Sequence, residues 1–172
     1  MKFNFISILI IILIIYVYCY FVFPATVQII QTTINDFNLS LLYLRQPIVV
    51  SDYLEDKEKL VHSWFNYNFI KKFDYRDSPD DNQNQNLNQN NWVHNNNKYL
   101  FMNANTDTEI IIYKASCYSC NPTENDRIIA IKLEEKQSLI LPYKWKYYVK
   151  KRDDVDIWSI NDPITSFLGL VF

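Results

Sequence analysis

Lys132–Val149 reads KLEEKQSLILPYKWKYYV. Leu139, Ile140 and Leu141 form a short continuous apolar run, the pattern of a buried strand. Pro142 ends the run, because it cannot donate to a ladder, and leads a tight bend. Trp145, Tyr147, Tyr148 and Val149 then mark an aromatic strand. On the other side of the run lies a polar turn, and before it Ile128–Leu133, IIAIKL, is a further strand. Strands this closely spaced, with Val155–Ile160 following, imply an antiparallel sheet or half-barrel.

Reading outward toward the N-terminus adds strands at Lys98–Asn103 and Glu109–Lys114, joined by the turn residues of NANTD. Ile48–Val50 is a short buried strand. The stretch before it, FNLSLLYLR, carries Phe37, Leu41 and Leu44 on one helical face, with Asn35 or Asp36 as cap. Gln46-Pro47 ends that helix, since the residue before proline disfavours helical geometry. Asp52–Val61 is an amphipathic helix candidate with a solvated charged face. Phe65, Phe69 and Phe73 continue at helical spacing, as core packing. The expected fold class is therefore α+β, a small mixed domain with helices leading into an antiparallel β-sheet. Residues 77–97 interrupt it as a low-complexity Asn/Gln-rich loop, too polar to offset its ordering entropy, with Trp92 docking back onto the domain. Lys144, Lys146 and Lys150 should alternate outward as a solvated, charge-protected edge, balanced by Asp153, Asp154 and Asp156.

The N-terminus has a different character. Phe3–Phe23, FNFISILIIILIIYVYCYFVF, contains no charge. About 21 residues at 1.5 Å each give ~31 Å of helix, enough to cross a bilayer core. Tyr16, Tyr18 and Tyr20 gather at its far end, where amphipathic rings favour the headgroup zone. A cleaved signal fits less well, because the apolar region is long and Phe23-Pro24-Ala25 is a poor cleavage site. Lys2 precedes the segment, and no Lys or Arg follows until Arg45. That asymmetry places the N-terminus in the cytoplasm and the rest across the membrane, as a single-pass protein. The expected organisation is a transmembrane signal anchor at 1–23, a stalk at 24–34 and one domain at 35–172. The bilayer is the partner of residues 3–23.

Composition excludes several chemistries. The 172 residues include a single glycine, Gly169, so no Gly-rich phosphate loop can form. A net charge of −2 gives no reason to expect nucleic acid. Cys117 and Cys120 form a CxxC between turn signals. It reads as a thiol pair or local disulfide clip, beside a thioredoxin-type centre or a zinc site with His62 and His94 as competing readings. Asn38-Leu39-Ser40 is a glycosylation sequon, usable only on a lumenal face. No cofactor is expected.

Two stretches carry a resemblance. Phe37–Phe73, with Arg45-Gln46-Pro47-Ile48-Val49-Val50 and then Trp64, resembles the lead-in of JmjC-like cupin proteins. Leu133–Val149, with Leu139, Leu141, Pro142, Trp145 and Val149, resembles their last core strands. The overall look is similar to uncharacterised membrane-anchored proteins of large DNA viruses. The resemblance implies a partial or degenerate cupin-like barrel. It also implies Fe(II) held by an H-x-D/E pair and a distal histidine. No H-x-D or H-x-E occurs in this chain, the distal position falls at or beside Tyr147, and Lys136-Gln137 replaces the family's turn glycine-aspartate. The expectation is a degenerate active site in a non-enzymatic, membrane-anchored protein with a structural or interaction role, in a host or virion membrane if viral. Trp145, Tyr147, Tyr148 and Trp158 are core or partner-contact aromatics. The alternatives are an Fe(II)/2-oxoglutarate-type cupin enzyme with an atypical metal site, or a CxxC thiol redox protein.

Overall fold

Period-two alternation in the C-terminal half builds two facing β-sheets. The computed structural model describes residues 5–21, 26–54, 74–77, 92–114, 122–123 and 126–161. Its elements are α1 (Phe5–Phe21), β1 (Ile30–Thr32), α2 (Ser40–Tyr43), β2 (Ile48–Val50), β3 (Asp74–Asp77), β4 (Val93–His94), β5 (Tyr99–Ala104), β6 (Thr108–Lys114), β7 (Ile128–Leu133), β8 (Ser138–Pro142), β9 (Trp145–Val149) and β10 (Val155–Asn161). One sheet has six strands in the order β1-β2-β8-β5-β10-β3, and the other four in the order β4-β9-β6-β7. The β1–β2 pair is parallel and the other pairs are antiparallel.

The middle strands of the six-stranded sheet, β2, β8, β5 and β10, are buried on both faces. Val49, Leu100, Met102, Leu139, Leu141 and Ile157 point toward Ile110, Ile112, Ile131, Leu133, Trp145 and Tyr147 of the four-stranded sheet. The intervening residues Ile48, Val50, Tyr99, Phe101, Ile140, Trp158 and Ile160 form a second cluster on the opposite face, with Leu42 and Leu54. Burial on both faces explains why the middle strands read as continuous apolar runs. Polar residues on the second face are bonded to the segment that covers it. Ser138 Oγ donates to Asp52 O (2.9 Å) and accepts from Leu54 N (3.3 Å), while Asn103 Nδ2 donates to Leu54 O (3.1 Å).

Several expectations are corrected. The described domain is mostly β, not helices leading into a sheet. The expected helix over 37–45 is a single turn, Ser40–Tyr43. Asp36 does not cap it, because its carboxylate accepts from Thr33 Oγ1 (2.9 Å) in a local turn that competes with helix. Residue Arg45, at φ 54°, then ends the turn in the left-handed region. The sheet begins inside the segment expected as a stalk: β1 pairs with β2, and buried Gln46 bridges Thr26 O and Gln28 N (2.8 and 3.0 Å). Among the described residues the strands form two open sheets and no closed barrel. The helices expected at 52–61 and 63–73 lie largely or wholly outside the described residues, as does the centre of the 77–97 loop. The ends of that loop are ordered into β3 and β4.

The N-terminal segment is helical from Phe5 to Phe21, 17 residues or about 26 Å. Among the described residues no helix is long and apolar enough to cross a membrane. Residues 3–4 and 22–23 of the expected span lie outside them.

Candidate functional site

The outward face of the four-stranded sheet gathers the chemistry that the described domain exposes. Registers set its rows. His94 stands opposite Lys146, Lys146 opposite Tyr113, and Tyr113 opposite Ile128. In the next row Tyr148 stands opposite Ile111, and Ile111 opposite Ala130. Directly opposed residues share a face, so these side chains lie together on the side away from the intersheet core.

Trp92 closes over this face. Its ring meets Tyr113 edge-on, with centroids 4.7 Å apart at 84°, and tilts toward Tyr148 at 6.3 Å. Lys146 Nζ lies 5.8 Å from the centre of the Tyr113 ring, a cation–π distance. Tyr113 is 1% and Lys146 3% exposed. Lys146 is thus corrected from outward solvated residue to buried one. Lys146 does face outward, between His94 of β4 and Tyr113 of β6, but that side of the sheet is covered there and not solvated. Burial lowers the Lys146 amine and raises the Tyr113 phenol from their usual values. Lys150 is on the rim and pairs with Glu109, and Lys151 bridges Asp154 at 3.8 Å.

At the corner after β8, Lys144 adopts φ 70° and its Nζ lies 5.9 Å from the Tyr143 ring centre. His94 packs edge-on to the same ring at 6.4 Å, and its Nδ1 is 2.7 Å from Asn96 Oδ1. Burial is the main cause that lowers the His94 imidazole below its usual value; Lys146 and Lys144 add to this, against the Asn96 hydrogen bond. The sign of the consequence is definite. A folded-state pKa below the unfolded one leaves stability unaffected above the unfolded value, and stability falls as the pH drops through it. We expect His94→Gln to flatten the loss of stability of the full chain between neutral and mildly acidic pH, as measured by denaturant titration at each pH. An unchanged pH profile would show that His94 does not carry this sensitivity.

The arrangement offers aromatic faces, a buried lysine amine and an imidazole, both held below their usual values by burial. Among the described residues no group of three His, Cys, Asp or Glu could hold a metal ion. Tyr147, at the place where the resemblance expects a distal histidine, points into the intersheet core at 3% exposure. Burial pushes its phenol up to about 12, with Arg152 pulling the other way.

Other sequence-derived candidates are dispersed. Cys117, Cys120 and His62 lie outside the described residues. Tyr16, Tyr18 and Tyr20 fall within α1, but their side chains are outside the description. Asn38 is exposed, and its Oδ1 accepts from Ser40 N at 3.0 Å. Trp145 and Trp158 are fully buried core residues, whereas Tyr148 is half-buried on the outward face. Trp92 docks as its sequence position suggested. The short strand Val93–His94 within a polar tract was missed; the alternation Trp-Val-His leading through it was the available signal. No family model, curated protein or solved structure matches this chain.

Proposed function

We propose that this chain is a membrane-tethered, non-enzymatic binding protein that presents its β-domain to a protein partner. The observation that carries this reading is the surface of α1. Ile6, Ile8, Leu9, Ile10, Ile11, Ile12, Leu13, Ile14 and Ile15 are exposed, by 45% to 69%. A helix that is apolar all round belongs in a protein core or in lipid. The described 17 residues do not reach a full span by themselves, and the apolar residues 3–4 and 22–23 that lengthen the stretch in sequence lie outside the described residues. Lys2 ahead of it and the absence of Lys or Arg up to Arg45 favour the domain on the translocated side. In this reading the contact surface is the outward side of the four-stranded sheet where it is open, from half-buried Trp92 and Tyr148 to exposed Ile128 and Ala130, with a viral or host membrane as its setting.

Alkaline extraction of membranes from cells making the full chain tests the tether. The wild type is expected to stay in the pellet. The double variant Ile8→Lys/Ile12→Lys is expected in the supernatant, since each central charge costs about 2.5–3.5 kcal/mol on insertion. Release of the wild type would end the tether reading. In a glycosylating host, a glycosidase-sensitive mobility shift lost in Asn38→Gln is expected; its absence from a membrane-retained chain would place the domain on the other face.

A further inference from the structure

β7 is the outer strand of the four-stranded sheet, paired to β6 on one side; among the described residues no strand pairs with its other side. An open ladder edge is a template for another strand. The usual protections are absent from Ile128–Leu133: no proline, an unbroken register with β6 and a single charge, Lys132. Ile128 is 50% exposed and Ala130 is exposed.

We infer that β7 pairs antiparallel with β7 of a second copy of this chain, about a two-fold axis at Ala130, joining two four-stranded sheets into one. This rests on the reading of the chain as a binding protein and names its partner.

The strand's own pattern selects a copy of itself. Opposed residues in an antiparallel pair share a face. With the axis at Ala130, Ile129 opposes Ile131 of the second copy on the inward face. That extends the intersheet core to which both residues already contribute. On the outward face the small Ala130 meets itself, and Lys132 lays its aliphatic stem against Ile128 of the second copy. The two Lys132 positions are then four residues apart along the strands, roughly 14 Å. Each lies on the side where Asp126 leads into the opposing strand, so the charges are complementary. The register one residue on is worse. An axis at Ile131 brings the two Lys132 onto a diagonal of about 7–8 Å.

Oxidative cross-linking of the full chain in membranes tests this. Ala130→Cys places two thiols across the axis, with Cα atoms about 4.5–5.5 Å apart and within disulfide reach. Lys132→Cys separates them beyond it. The wild type sets the baseline due to Cys19, Cys117 and Cys120. The expected result is a disulfide dimer in Ala130→Cys well above both Lys132→Cys and the wild type. In parallel, Ala130→Lys opposes two ammoniums at the axis and should convert the detergent-solubilised dimer to monomer by light scattering. Cross-linking of Ala130→Cys at baseline, or equally at both positions, would overturn the pairing. Membrane retention measured on the same samples separates the readings: a retained chain that does not cross-link defeats only the pairing, and a released chain that does defeats only the tether.

Discussion

Trp158→Ala is expected to lower the unfolding free energy by about 3–5 kcal/mol, the range for an aromatic removed from a packed core. Trp158 is 0% exposed in β10, one strand from Phe101. The two rings stack with centroids 3.9 Å apart and planes 8° from parallel. They lie at the middle of the second apolar cluster, between Ile140 and Ile160 on the sheet and Leu42 and Leu54 on the covering segment. Strands on each side fix the backbone there, so the sheet cannot collapse into the space that the indole leaves. Chemical denaturation of the full chain in detergent, followed by far-ultraviolet circular dichroism, reads the loss as a shift of midpoint. Trp158→Phe should lose distinctly less, since it keeps a ring on Phe101. The cycle with Phe101→Leu should return a coupling of about 0.5–1.5 kcal/mol. A loss below about 1 kcal/mol in Trp158→Ala would mean that this face is not the closed core the packing describes.

The strands that carry Trp158 and its neighbours were legible because a strand's existence is a local property. Ser138–Pro142, Trp145–Val149 and Ile128–Leu133 occur at the expected boundaries, marked by an apolar run, an aromatic alternation and turn residues. Sheet order was not legible, because it is set by distant partners. β8 pairs with β2 and β5, while β9, two residues later, pairs with β4 and β6 in the other sheet. Nothing local to Pro142-Tyr143-Lys144 says that the chain changes sheets there. That one fact takes Lys146 off the expected edge and sets it between β4 and β6, and cover over the outward face then buries it. The turn before β8 was read correctly as polar, but Lys136 holds φ 68° there, a left-handed position that glycine would take at lower strain. The helix expected over 37–45 failed for a different reason: the buried residue is Leu42, off the expected Phe37-Leu41-Leu44 face, and Leu44 is exposed. Local hydrogen bonds of Asp36 and Asn38, and the bridge made by Gln46, hold the flanks in other conformations. The candidate site was half legible. Trp92 docks as expected, but the strand that carries His94 beside Lys146 lies in a tract whose composition hid its alternation.

Asn95→Ala should destabilise the domain by on the order of 3 kcal/mol, because it leaves several buried polar groups without partners at about 1–3 kcal/mol each. Asn95 is 1% exposed and sits at the corner where the chain crosses between sheets. Its Nδ2 donates to Leu141 O (2.9 Å) and Pro142 O (2.7 Å), and its Oδ1 accepts from Asn97 N (2.9 Å). Its backbone N–H donates to Trp145 O (2.9 Å), and its carbonyl accepts from Lys144 N (3.0 Å). The corner depends on a side chain because the backbone there is poor in donors. Pro142 has no N–H, and the Leu141 and Pro142 carbonyls lie where β8 ends. Asn95→Asp separates hydrogen bonding from packing. Its carboxylate would face two carbonyl oxygens, so its folded-state pKa must rise above the unfolded carboxylate value of about 3.9. A raised folded pKa makes the penalty full above that pKa and progressively smaller as the pH falls through it. Asn95→Asp should therefore be less stable than Asn95→Ala at neutral pH and recover toward it in acid, where the protonated carboxyl donates to one carbonyl. Equal stability of the two variants across that range, in denaturant titrations of the full chain, would show that packing and not hydrogen bonding holds the corner.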